Sequence, residues 1–170
     1  METEYTPVPF ESGPVLVGLM PGQGRDVVVR AAELAATLGV PLLGAFVDPS
    51  SYLLEWTPGG HVDPLSLAPT LDPDDEAVQD AKDLEDLLSR VALEHGVEAS
   101  FRVVAGDRAM AIGRLAEAVG AAVIVVGTRR PGLAARAEEM VGGSVVHKLT
   151  TTQHTPVLAI PGVVHKPHHG

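Results

Sequence analysis

The sequence predicts an α/β protein with an open, mostly parallel five-stranded sheet and helices on both faces. Short apolar runs alternate along the chain with segments whose apolar residues recur at helical spacing. Several of these runs are apolar at every position, as strands buried on both faces of a parallel sheet are. The chain has 170 residues and is 45% hydrophobic, which suits one domain with one sizeable core.

The first half of the chain predicts a strand, a helix and a second strand. Val15–Leu19 is an apolar run closed by a Pro-Gly turn, which indicates the first strand. A helix is expected from Asp26, a candidate N-cap, to Gly39, a typical C-terminal stop. Residues 41–47 are apolar again and predict the second strand.

The second half predicts three more strands and three more helices. The clearest helix start is Asp72, a capping residue followed by a proline and three acidic residues that complement the helix dipole. That helix ends at Gly96. The remaining elements are a strand at 99–104, a helix from the turn at 105–107 to Gly120, a strand at 121–127, a helix at 144–153 and a strand at 157–160.

Composition divides the chain into a domain with two flanking segments. Residues 1–13 contain prolines without apolar periodicity and predict a flexible N-terminal arm. The domain covers 14–163 and includes a long loop at 50–72. Residues 164–170 form a tail with three histidines but no carboxylate or thiolate. Such tails bind metal ions adventitiously, so no metal site is predicted.

Charge and motif content exclude several classes of function. A net charge of −10 argues against general nucleic-acid binding. No apolar run approaches the roughly 18 residues of a membrane span, and no signal peptide is seen, so a cytoplasmic protein is expected. The chain has no cysteine and no hydrolase or metalloprotease motif, and we expect no enzymatic activity beyond slow hydrolysis of a bound nucleotide.

The stretch after the 121–127 strand has the residue types of a phosphate site. Gly127 ends the strand, a loop rich in glycine and arginine follows, and Gly143-Ser144 precedes the next helix. Glycines let backbone N–H groups approach an anion, and a helix N-terminus and a serine hydroxyl add further donors. The alternative is that the glycines serve turns, Ser144 caps the helix and the arginines are solvated. Spacing alone leaves both interpretations open.

These segments resemble the universal stress protein family over nearly all of residues 14–162. The resemblance is carried by Gly143-Ser144-Val145, by the Thr-Pro-Val-Leu sequence at 155–158, and by the Ala-Gly-Asp turn at 105–107 with the strand after it. It implies a Rossmann-like fold of the adenine nucleotide alpha hydrolase kind. It also implies a cytoplasmic stress-response or signalling protein that binds ATP, ADP or AMP, with Mg²⁺ only as the nucleotide's companion. A homodimer through the last strand, with an unknown protein partner, is implied as well.

The resemblance also implies a set of nucleotide-binding residues. Two departures lie in the family's glycine signature: fifteen residues separate Gly127 from Gly143 where the signature has twelve, and Arg130 replaces its second glycine. Met20 stands where nucleotide-binding members usually carry an Asp that holds the ribose or adenine side of the ligand. The expected site comprises Leu19, Met20, Val47, Gly127, Arg129, Arg130, Gly132, Gly143, Ser144 and Val145.

Three functions are consistent with this pattern. In the first, a bound nucleotide orders residues 128–142 and so controls a partner-binding surface. In the second, the fold is a nucleotide-free interaction module whose site is disabled by Met20 and Arg130. The third, an adenylate-using enzyme, matches poorly because the loop after the first strand lacks the expected Ser-Gly sequence. That loop, 21–25, is read as a plain turn in preference to an anion-binding nest in which Arg25 reaches a phosphate.

Overall fold

The structure, a computed structural model, describes residues 4–48, 76–128 and 145–161. Within them all strand pairings are parallel, and helices follow strands as predicted. The strands are β1 (Val15–Leu19), β2 (Leu42–Asp48), β3 (Ala99–Ala105), β4 (Val123–Gly127) and β5 (Val157–Ile160). The helices are α1 (Arg25–Leu38), α2 (Glu76–His95), α3 (Arg108–Val119) and α4 (Val145–Thr152). The sheet order is β3-β2-β1-β4-β5, which confirms the predicted class.

Burial of β1 on both faces organises two hydrophobic cores. Every residue of β1 is buried, and successive side chains point to opposite faces. Val15, Val17 and Leu19 join the core formed with α1 and α2. Leu16 joins the second core, which includes residues of α3 and α4. Helices therefore cover both faces, as the uninterrupted apolar strands predicted.

The helix ends show which local signals were correct. Gly39 and Gly120 end α1 and α3 in the left-handed conformation, with φ of 69° and 64°. The expectation that Asp26 caps α1 is wrong, because the helix starts one residue earlier and Gly24 is its N-cap. Asp26 lies in the first turn, where its carboxylate complements the helix dipole. Asp107 does cap α3, since its Oδ2 accepts a hydrogen bond from Met110 N at 3.1 Å.

The segment before β1 contacts the loop between α4 and β5 and the residue that precedes β4. Residues 4–14 contain no helix or strand. The Tyr5 ring stacks on His154 with centroids 4.6 Å apart, and Ala122 N donates to Pro14 O at 3.0 Å. The 50–72 loop, the Asp72 helix start and the 164–170 tail lie outside the described residues.

The longest described helix, α2, is amphipathic. It buries Leu84, Leu88 and Val91 along one stripe, whereas Leu93 is 83% exposed. Leu88 packs closely on β2, because a Cβ added to Gly44 would lie 2.6 Å from Leu88 Cδ2. No helix in the described part of the chain combines the length and the apolar character needed to cross a membrane.

Leu88→Ala is expected to lower the free energy of unfolding by about 2–5 kcal/mol, because it removes buried methyl groups and leaves a cavity between α2 and β2. Leu93→Ala makes the same chemical change on the exposed side of α2 and should cost well under about 1 kcal/mol. Urea unfolding of both variants measures the difference. Equal losses would contradict the packing of α2 described above.

Candidate functional site

The reversal of strand order places a crevice at the carboxyl ends of β1 and β4. The chain proceeds outward from β1 to β2 and β3, then returns to add β4 and β5 on the other side of β1. In open α/β sheets ligands bind where the order reverses, because the connecting helices diverge to opposite faces there. Met20 follows β1 and Thr128 follows β4 at this edge.

Gln23 spans the crevice from β1 toward β4. Its backbone N donates to Met20 O at 3.1 Å, which closes the turn, and its Oε1 accepts from Met20 N at 3.0 Å. A Cβ added to Gly127 would lie 2.8 Å from Gln23 Nε2 and 3.0 Å from Val27 Cγ2. A side chain at position 127 would therefore have to displace the Gln23 amide and would crowd Val27.

Arg108 brings a positive charge to the end of β1. It is the first residue of α3, its side chain is half-buried, and its Nη1 contacts Met20 Sδ. A thioether is only a weak hydrogen-bond acceptor. The end of β1 is thus bordered by a cation.

Two carboxylates also lie near this edge of the sheet. Asp48 ends β2 in register with Ala105 and is 9% exposed. Asp107, which caps α3, also lies 3.5 Å from Lys148 Nζ on α4. Among the described residues, no group of three or more His, Asp or Glu is arranged to hold a metal ion.

The loop after β1 is a turn, as favoured from the sequence. Gly22 has a φ of 73°, a conformation that glycine adopts readily. Arg25 Nη2 lies 2.5 Å from Glu94 Oε2 on α2, and both side chains are more than half exposed. The Arg25 guanidinium is thus engaged by α2, so the alternative in which it reaches a phosphate gains no support.

The described site residues fall into two groups. Met20 and Gly127 both lie against Gln23 at the ends of β1 and β4, whereas Leu19 and Val47 are only 2% and 8% exposed and belong to the two cores. Leu19 and Val47 can therefore contact a ligand only through their backbone atoms. Val145 is the first residue of α4 and packs on the second core. The other five expected residues lie outside the described part: Arg129, Arg130, Gly132, Gly143 and Ser144.

Two residues at the crevice were not in the expected site. Gln23 lies in a segment that the sequence predicted to be a turn. Its position as a polar residue close to the end of a strand was the signal that could have identified it. Arg108 directly follows the Ala-Gly-Asp turn, one of the segments that carry the family resemblance. No local sequence signal indicated that the Arg108 side chain reaches Met20, which is 88 positions away in the chain.

Comparisons with known proteins agree with this architecture. The model of the universal stress protein family matches residues 12–161. A universal stress protein family member from Burkholderia pseudomallei is 26% identical, with a TM-score of 0.57 over 88% of this chain and 96% of that one. Sequence comparison with curated proteins gives no match.

Two of the similar structures contain nucleotides. A universal stress protein in complex with cAMP is 22% identical, with a TM-score of 0.59 over 88% of this chain and 96% of its own. One from Archaeoglobus fulgidus in complex with dAMP is 20% identical, with a TM-score of 0.59 over 86% of this chain and 96% of its own. At these identities the two likenesses show a shared fold.

The contact between Gln23 and Gly127 predicts energetic coupling across the crevice. Gly127→Ala should displace the Gln23 side chain, break its bond to Met20 N, and destabilise the protein by about 1–3 kcal/mol. In a Gln23→Ala background the same substitution should destabilise the protein by at least about 0.5 kcal/mol less, because Gln23 Nε2, the atom closest to the added Cβ, is absent. A double-mutant cycle by urea unfolding measures this, and additive effects would contradict the proximity.

Proposed function

Because the chain belongs to the universal stress protein family, we propose that it binds an adenine nucleotide at the crevice between β1 and β4. The observation that carries the proposal is the presence of hydrogen-bond donors at the carboxyl ends of β1 and β4. Gln23 Nε2 lies beside this glycine, and the Arg108 guanidinium lies at the end of β1. Gly143-Ser144 immediately precede α4 in the sequence. These donors fit an anionic ligand.

The proposed ligand is ATP, ADP or AMP, accompanied by Mg²⁺ where two or more phosphates are bound. Arg129, Arg130 and Ser144 would hold the phosphates, while the backbone at Leu19 and Val47 would line the base. The cAMP and dAMP complexes of similar proteins support a ligand of the adenine class. We propose that the protein binds the nucleotide as a signal and that it is not an enzyme that turns the nucleotide over.

The proposed signal passes from the nucleotide to β5. Thr128 directly follows Gly127, and its backbone N and Oγ1 both donate to Ile160 O, at 3.1 and 3.3 Å. Ile160 is the last residue of β5. A nucleotide that orders residues 128–142 would therefore act on a segment bonded to the edge of the sheet. The hydrogen bonds from Thr128 to Ile160 are the path by which a bound nucleotide would affect the surface at β5.

That edge is the proposed homodimer interface. Among the described strands β5 pairs only with β4, and Leu158 is 40% exposed on it. An edge strand with an exposed apolar side chain gains from being covered by a second copy. Nucleotide binding would then alter the dimer surface or the partners that it recruits.

A second candidate is a nucleotide-free interaction module. It is favoured by Met20, which replaces the carboxylate expected at the end of β1, and by the Gln23 side chain that lies in the crevice. In this case the fold would be kept for its interaction surfaces. Direct measurement of nucleotide content separates the two candidates.

We expect freshly purified protein to release an adenine nucleotide on denaturation, detected by ion-exchange chromatography with mass detection, and to bind ATP or AMP in a calorimeter. The double variant Arg130→Ala/Ser144→Ala should bind at least about tenfold more weakly, because charge-assisted contacts contribute about 1.5–3 kcal/mol each. The matched control is Ser89→Ala/Arg90→Ala, two exposed residues of α2. If no nucleotide is released or bound, the nucleotide-free module is the better description.

We expect a dimer by light scattering at micromolar concentration. Leu158→Lys should shift it to monomer, because a charge would be buried at the proposed interface. Leu93→Lys places the same charge on the exposed side of α2 and should leave the dimer intact. A monomeric wild-type protein would rule out this interface.

A further inference from the structure

We propose that Gln23 contacts the bound nucleotide directly and that its Nε2 donates a hydrogen bond to the phosphate nearest the ribose. This inference rests on the nucleotide site proposed above and assigns a recognition role to a residue that the expected site did not include. Gln23 then determines how tightly a phosphorylated ligand is held, in addition to shaping the turn after β1.

The hydrogen bond to Met20 fixes the orientation of the Gln23 carboxamide. A backbone N–H can only donate, so the carboxamide atom 3.0 Å from Met20 N must be the oxygen, Oε1. The nitrogen is then on the other side of the carboxamide and lies beside Gly127, where an added Cβ would be 2.8 Å from it. The side chain therefore presents a donor to the end of β4.

Neighbouring donors at these two strand ends are already engaged within the protein. Met20 N donates to Gln23 Oε1, and Gln23 N donates to Met20 O at 3.1 Å. At the end of β4, the backbone N and Oγ1 of Thr128 both donate to Ile160 O. These groups hold the turn and the edge of the sheet in place, so they are committed to structure.

Gln23 Nε2 differs from these donors. Within residues 4–48, 76–128 and 145–161 it has no hydrogen-bond acceptor, and the Gln23 side chain is partly exposed, so a ligand can reach it. A partly buried donor without a protein acceptor gains most from an anionic oxygen, because charge-assisted hydrogen bonds are roughly twice as strong as neutral ones. A phosphate oxygen is the group of a nucleotide that meets this requirement.

The place of Gln23 in the sheet assigns it to the phosphate in preference to the base. The sheet order puts β2 on one side of β1 and β4 on the other. The proposed base contacts, the backbone at Leu19 and Val47, lie in β1 and β2, and the Asp48 carboxylate ends β2. Gln23 Nε2 lies on the β4 side. A nucleotide whose base lies at β1 and β2 extends toward β4, so its first phosphate is the group that meets Gln23.

Two other roles for Gln23 lead to different experimental results. If the residue serves the turn alone, it needs only the oxygen that accepts from Met20 N. If the side chain is a plug that fills the crevice, it competes with the ligand for the space beside Gly127. Substitutions that change one end of the carboxamide at a time separate these roles from direct phosphate binding.

Gln23→Glu is the decisive variant, because it keeps an oxygen for Met20 N and replaces the Nε2 donor with a carboxylate oxygen of similar size. We expect AMP affinity, measured by calorimetry, to fall at least about a hundredfold, since a donor is lost and a like charge faces the phosphate. Gln23→Ala removes the donor without adding a charge, and it should weaken AMP binding about tenfold. The order of the two losses is the signature of a phosphate contact.

Three controls isolate the cause. Gln79→Glu makes the same substitution at an exposed position of α2 and should change AMP affinity by less than about threefold, because a distant charge is screened. Adenosine, which has no phosphate, should lose less than about threefold in Gln23→Glu. In a nitrogen–proton correlation spectrum, the side-chain amide signals that vanish in Gln23→Glu belong to Gln23. In the wild-type protein these signals should shift when AMP is added.

Several outcomes would overturn the inference. Unchanged AMP affinity in Gln23→Glu would mean that the residue serves the turn alone, and tighter binding by Gln23→Ala would mean that it is a plug. An equal loss for adenosine and AMP would place Gln23 beside the base or the ribose. In each of these cases the nucleotide site stands and this inference fails. If Gln23→Ala does not fold, Gln23→Glu still decides the question. If the wild-type protein binds no nucleotide, the proposed function and this inference both fail.

Discussion

Burial of β1 on both faces is the constraint from which the rest of the fold follows. A strand with no exposed side needs a helix layer on each face and a hydrogen-bonded neighbour on each edge. The neighbours are β2 and β4, and the chain reaches them by connections that cross opposite faces of the sheet. The helices that follow β1 and β4, α1 and α4, pack on opposite faces and so diverge at the carboxyl ends of these two strands. The same requirement that stabilises the core therefore opens the crevice where a ligand can bind.

This constraint also decides which residues can contact a ligand. Side chains within the strands are committed to the two cores, as Leu19 and Val47 show. Functional side chains must come from the residues directly beyond the strands or from the helix starts. Met20, Gln23 and Arg108 occupy such positions. The site is therefore specified by short segments that contribute little to the cores, so its chemistry can change while the fold is retained.

The sequence predicted the elements well because their signals are local. Uniformly apolar runs identified β1, β2 and β4, and Gly39 and Gly120 marked helix ends because each adopts a left-handed conformation. The contact of Arg108 with Met20 could not be predicted, since it depends on how two strand ends 88 positions apart are placed in the sheet. The sequence predicted that Gly127 contacts a phosphate, and this stays a prediction. The structure adds a packing reason that the sequence did not reveal, because a side chain at position 127 would displace the Gln23 amide and crowd Val27.

The overall charge of the chain strengthens the case that a few contacts determine ligand choice. With a net charge of −10, the long-range field of the protein opposes the approach of a nucleotide phosphate. That field is screened beyond about 8–10 Å at physiological salt, so donors in direct contact with the ligand must supply the affinity. In the proposed site, the candidate donors at the end of β1 are the Gln23 amide and the Arg108 guanidinium. Gln23 follows β1 and Arg108 begins α3, so their positions depend on where these two elements end and begin. The choice of ligand would then depend on how β1 and α3 are placed relative to each other. Thr128, which follows β4 at the same end of the sheet, is hydrogen-bonded to β5.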